Sequence, residues 1–119
     1  MNVKIDRIPE EKLTPRQRTH LKVAREVAGE VPVIAAKLSD HLHIIGAYDT
    51  LGSKIYITPE RLERLSTTLN TGIHELAHHQ THRDDGTREH SEAISRISKK
   101  VTAEAGWGKY DGLLRDAIW

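Results

Sequence analysis

The chain has 119 residues, 18 Lys and Arg against 17 Asp and Glu, 8 His, no Cys, no Phe and a net charge of +1. Its 11 Ile, 11 Leu and 6 Val are enough for one small aliphatic core and too few for two. Acids and bases interleave, leaving no one-signed face for nucleic acid, and no apolar run nears the roughly 18 residues that span a bilayer.

Without Cys there are no disulfides, thiolate nucleophiles or Cys-based zinc sites, so His, Asp and Glu are the available strong metal ligands. The start, MNVKIDRIPEEK, has no apolar segment after its charges. The expectation is no signal peptide, a cytoplasmic location and a single domain over residues 1–119.

In chain order, Thr14-Pro15-Arg16-Gln17 combines an N-cap Thr, Pro at the first helical position and Gln at the capping-box position. With Leu21, Ala24, Val27 and Ala28 recurring at helical spacing, this predicts a helix from about 15 to 29, ended by Gly29. Strands are expected over Val31 to Leu38, His41 to Tyr48 and Ser53 to Thr58, the last two joined by the turn chemistry of Asp49-Thr50-Leu51-Gly52. Ile55 and Ile57 share one face of the third strand while Lys54, Tyr56 and Thr58 take the other, the alternation of a half-exposed edge.

Thr58-Pro59 opens a short helical turn to about Leu65, and a longer helix is expected from Ser66 to His82, with Leu69, Ile73, Leu76 and Ala77 inward. Asp84-Asp85-Gly86 breaks the chain. A last helix from Thr87 to about Ala105 carries His90, Ile94, Ile97 and Val101 on one stripe, and the tail from Gly106 holds both Trp residues. The whole reads as α+β.

Five of the eight His lie between 74 and 90, and the first two stand in His74-Glu75-Leu76-Ala77-His78, an HExxH pattern inside a predicted helix. Residues i and i+4 share a helix face, so both imidazoles can reach one ion at about 2.0–2.1 Å. Glu75 lies about 100° round the helix, where it can act as general base without being a ligand. Zinc lowers the pKa of bound water from about 15.7 to about 7. By this chain's own composition the pattern arises by chance about 4% of the time, so the argument leans on its helical context; the competing reading is a surface helix with solvated His.

A catalytic zinc needs a third protein ligand. His90 is the first candidate, since the stripe that packs on the core aims its ring at the preceding helix; otherwise it is a buried, hydrogen-bonded core histidine. Asp85 is the next, or else an N-cap for the last helix. Glu89 and Glu92 flank the stripe and are also carboxylates within reach. His79 and His82 read as surface or supporting residues. Asp84, Asp49 or Glu92 could hold the outer nitrogens of the ligand His, and Tyr110 could stabilise an oxyanion if the tail folds over the cleft.

The order of elements, with HELAHH on a helix after the Ile55-Tyr56-Ile57 strand and a following helix bearing acids and a His, resembles the zincin metallopeptidases. The likeness is to their minimal single-domain forms, the minigluzincins and small phage and bacterial metallopeptidases, and covers roughly residues 15 to 105. It implies an N-terminal helix, a small three- to four-stranded sheet with an exposed edge strand, the HExxH helix and a C-terminal ligand-bearing helix. It also implies His74 and His78 on Zn2+, Glu75 as catalytic base, and a peptide or unfolded protein substrate along an edge strand, here 54–58.

Asp85 to Ala93 also resembles a D-x-T-R-x-[aromatic]-E stretch of such proteins, but His90 replaces the aromatic and Ser91 the acid. The metzincin pattern HExxHxxGxxH fails at Thr81 and Asp84. SprT-like and ImmA-like proteases take their last ligand from a His and a Glu respectively, which leaves His90 and the carboxylates side by side.

The reading is therefore a zinc-dependent peptidase using His74, His78 and His90 with Glu75 as base. The alternative is a catalytically silent zincin-like module acting through protein contacts. A third reading makes the tail a latch, with Asp111 or Asp116 in the cleft, against a tail whose Trp107, Tyr110, Leu113 and Trp119 cap the core.

Overall fold

The computed structural model describes residues 4–39 and 46–115. The capping box at Thr14 forms as the sequence predicts. Gln17 N–H donates to the Thr14 hydroxyl at 3.1 Å and Thr14 N–H donates to Gln17 Oε1 at 2.9 Å. It opens α1 (Pro15–Ala28), which Gly29 ends at φ +67°.

Four strands make one mixed sheet: β1 (Lys4–Arg7), β2 (Val33–Ser39), β3 (Gly46–Asp49) and β4 (Lys54–Ile57). Their order is β1-β2-β4-β3, with β2 and β4 parallel and the outer pairs antiparallel. The Asp49 carboxylate accepts from the N–H groups of Leu51 and Gly52 at 3.0 and 3.1 Å, which folds β3 back against β4. Of the strand expected over His41 to Tyr48, residues 41–45 lie outside the described residues. β1 was not anticipated, because all four of its residues are exposed and no burial pattern marks them.

One expectation is overturned. The strand at 54–58 is not an edge: β4 lies between β2 and β3, and Tyr56 and Thr58, expected to face solvent, are 4% and 5% exposed. Period-two alternation distinguishes the two faces of a strand but not an edge from an interior position, and the Asp49 turn places β3 on the outside. The edges are β1 and β3.

The helices follow the sequence closely: α2 (Pro59–Leu62), α3 (Leu65–Thr81), α4 (Arg88–Gly106) and α5 (Asp111–Arg115). α1 and α3 pack on the sheet, α4 on α3 and α5 on α1. Leu21 and Ala24 of α1, Ile55 and Ile57 of β4, Ile73 and Ala77 of α3, and Ala93 and Ile97 of α4 meet in one buried cluster. Among the described residues no helix is long and apolar enough to cross a membrane.

Gly46 positions the site strand. A Cβ there would run into Thr71 Cγ2 and meet Glu75 Cγ at 3.6 Å, so only glycine lets β3 pass this close over α3, beside the residue after His74.

Candidate metal centre

The helical spacing of His74 and His78 brings their Nε2 atoms to 3.3 Å. α3 ends at His82, which adopts the left-handed conformation at φ 53° and turns the chain back over the helix end. The returning Arg83 carbonyl accepts from His78 Nδ1–H at 2.6 Å, which turns Nε2 of His78 toward His74 and Asp85. Two residues on, Asp85 Oδ1 stands 2.9 Å from His74 Nε2 and 2.6 Å from His78 Nε2.

Gly86, at φ +79°, then lets the chain enter α4. Thr87 caps it, its hydroxyl accepting from His90 N–H at 3.2 Å while donating to the Asp84 carbonyl at 2.9 Å. That cap sets His90 in the first turn of α4, buried at 2% exposure. Its Nε2–H donates to the His74 carbonyl at 3.1 Å, and its ring stacks on that of His78 with centroids 3.9 Å apart.

His74, His78, Asp85 and His90 thus form one group whose candidate ligand atoms all lie within 4.8 Å of one another, and it could hold a metal ion. Bonds of about 2.0–2.1 Å at tetrahedral angles put ligand atoms ~3.3 Å apart, the separation of the two Nε2 atoms. The chemistry of the donors also fits. With Nε2 of His90 committed to a carbonyl, its buried Nδ1 has no hydrogen-bond partner among the described residues, an orphan that a cation would satisfy.

The candidates separate cleanly. Glu89 is exposed on α4 and Glu92 pairs with Arg88 at 2.8 Å, so neither joins the group. The outer nitrogens of His78 and His90 are held by main-chain carbonyls and not by Asp84, Asp49 or Glu92, because the left-handed turn at His82 and the cap at Thr87 bring backbone to them first.

Glu75 is 7% exposed and has no hydrogen-bond partner among the described residues. Burial pushes its carboxyl up to about 7, helped by the nearby Asp85 charge and opposed by His78. It lines an open cleft of about 280 Å³ with Tyr48, Thr50, His78, His82, Arg83 and Asp84. Burial lowers the His74 pKa, as do His78 and His90, while Asp85 works against them. Burial also pushes the Asp85 carboxyl up, but His74 and His78 outweigh it and hold the group below the ordinary range.

Part of the cleft wall was not found from sequence, Tyr48 and His82 among it. Tyr48 on β3 hydrogen-bonds through its hydroxyl to His79 Nδ1 at 2.8 Å, so His79 is the partner of a cleft residue and not a solvated neighbour. His82, read from sequence as a surface or supporting residue, lines the cleft where α3 ends. The signal for Tyr48 was an aromatic just before the Asp49 turn, visible only once β3 is known to be the edge.

Tyr110 does not reach this cleft. It is 3% exposed in the core beneath α1, with its hydroxyl donating to Glu104 at 3.2 Å. Asp111 opens α5 against α1, Trp107 is 82% exposed and so caps nothing, and Asp116 and Trp119 lie outside the described residues.

No protein-family model matches the chain, and no curated protein and no solved structure is detectably similar to it.

Proposed function

We propose that the chain is a zinc-dependent peptidase in which Glu75 is the general base. The observation that carries this reading is a buried, unpartnered carboxylate lining the same open cleft as His78, one residue from His74 and next to four convergent metal donors. A donor set of imidazole and carboxylate without sulfur suits zinc.

His74, His78 and His90 would hold the ion, with Asp85 in reach. When bound, zinc polarises a carbonyl and makes water acidic enough to lose a proton near neutral pH. Glu75, whose carboxylate lines the cleft beside His78, would take that proton from the attacking water and return it to the departing amine.

Tyr48 flanks the cleft from β3. In the tautomer where His79 Nδ1–H donates to its oxygen, the Tyr48 O–H would be left to donate to an oxyanion. An extended peptide would add to the open side of β3, and not along 54–58.

A second reading has its own support. Four protein donors and no open position is the makeup of a structural zinc site, so a metal that staples α3 to α4 in a catalytically silent binding module fits the same cluster.

The test is chelator-reversible cleavage of an unstructured polypeptide by zinc-loaded wild type and Glu75→Gln. The peptidase reading expects cleavage by wild type only, with metal content equal in the two. Cleavage that survives Glu75→Gln, or metal-loaded wild type and metal-loaded Asp85→Ala that both fail to cleave, favours the silent module.

A further inference from the structure

The site offers one donor too many for a hydrolase. Three protein ligands and an open position make a catalytic zinc, whereas four protein ligands close it. The four donors here differ sharply in how they are held.

His74 and His78 belong to one helix turn, and His78 is further fixed by the Arg83 carbonyl. His90 is buried, capped in place by Thr87, stacked on His78 and bonded to the His74 carbonyl. Asp85 has none of these restraints. Its side chain is 71% exposed, and its only side-chain partners among the described residues are His74 and His78 themselves.

The main chain just before it is pinned, His78 holding the Arg83 carbonyl and the Thr87 hydroxyl reaching back to the Asp84 carbonyl. Rotation about the Asp85 side-chain bonds therefore releases the carboxylate to water without unfolding the loop.

Resting on the metal-site reading above, we infer that Asp85 is a removable fourth ligand: His74, His78 and His90 keep the metal, and the Asp85 carboxylate closes the site until a competing ligand displaces it. The competitor is a neutral or anionic oxygen donor, a peptide carbonyl in turnover or a small metal-binding anion in the test tube. The exchange swaps one oxygen donor for another, with no bond in the chain made or broken and no change in oxidation state. Resting enzyme is held mostly closed, and its apparent affinity for such ligands falls by the fraction of molecules that are open.

The experiment uses full-length protein loaded with Co2+, whose visible spectrum reports the ligand set, with metal per chain measured by elemental analysis and acetohydroxamate as the probe. Wild type, Asp85→Ala and His90→Phe are compared; the last keeps an aromatic ring in the buried place and removes its nitrogens. We expect about one metal per chain in wild type and in Asp85→Ala, and metal lost from His90→Phe. Acetohydroxamate should shift the Asp85→Ala spectrum at a concentration lower by about tenfold or more than it does for wild type, the factor set by an open fraction of one in ten.

Equal acetohydroxamate affinity in wild type and Asp85→Ala overturns the inference while leaving the metal site standing. Loss of metal from Asp85→Ala with retention in His90→Phe also overturns it, and makes Asp85 the permanent third ligand. A wild type that takes up no metal sinks the inference and the peptidase reading together.

Discussion

The Nε2–H of His90 donates across 3.1 Å to the main-chain carbonyl of His74. One residue of the candidate centre therefore holds the backbone of another, and tethers α4 to α3 at the point where both present ligands. It follows that His90 matters to the fold before any metal is added. In metal-free protein His90→Ala should cost about 2–4 kcal/mol, from the emptied space and the carbonyl left without its donor. Urea unfolding in the presence of chelator measures it, and a cost within ~0.5 kcal/mol of zero would mean the tether is not formed in solution.

Glu75 sets a pH dependence whose sign follows from its burial. The carboxyl sits at about 7 when folded against an ordinary value of 4.5, so between those values the folded metal-free chain holds the proton that the unfolded chain has lost. Its contribution is complete below about 4.5 and is lost as pH rises through about 7, a decline on the order of 3 kcal/mol at most. Glu75→Gln cannot ionise, so the stability difference between wild type and this variant, measured with chelator from pH 4.5 to 7.5, isolates the effect. A wild type that gains stability relative to Glu75→Gln over that range would contradict the buried, unpartnered environment.

Much of this arrangement could be read from the residues because it is local. The capping box at Thr14, the Asp49 turn, the helical stripe of Ile94, Ile97 and Val101, and the i, i+4 pair at 74 and 78 are all written within a few positions of one another. What failed depends on strand order, which alternation does not encode: β4 looked like an edge and is interior, and Tyr48 was passed over for the same reason. In the tail only part of the expected cap is found. Tyr110 joins the core, while Trp107, expected beside it in that cap, is solvent-exposed. Both Asp85 and His90 were candidates for one place, and only the left-handed turn at His82 and the cap at Thr87 show how both can converge.

Tyr110 should accordingly support stability and not gate the cleft. Its buried ring belongs to the core cluster against which Leu113 and Leu114 also pack, so Tyr110→Ala should cost about 3–5 kcal/mol. Truncation after Gly106 should unfold the chain or lower its melting temperature. A truncated protein that stays folded and cleaves faster than full length would restore the latch.

The close pass of β3 over α3 makes a prediction with a built-in rescue. Gly46→Ala drives its new methyl into Thr71 Cγ2, and should cost about 1–3 kcal/mol by overpacking. Thr71→Ser removes that methyl while keeping the hydroxyl that donates to the Thr67 carbonyl at 2.8 Å and accepts from Arg61 Nε at 3.0 Å. The double variant should therefore recover at least half of the loss in thermal unfolding, a coupling that independent sites would not show.

Tyr48 separates the wall of the cleft from the metal. If its hydroxyl, oriented by His79 at 2.8 Å, donates to the developing oxyanion, Tyr48→Phe should lower kcat by about tenfold to a thousandfold with KM nearly unchanged, since the interaction strengthens only in the transition state. Metal content should stay the same, because Tyr48 is not among the four donors. His79→Ala, which removes the partner that aims the hydroxyl, should fall in the same direction by less, and the two changes together should cost no more than Tyr48→Phe alone. An additive double variant, or a Tyr48→Phe that raises KM with kcat intact, would place the phenol in substrate binding and leave the oxyanion to backbone donors.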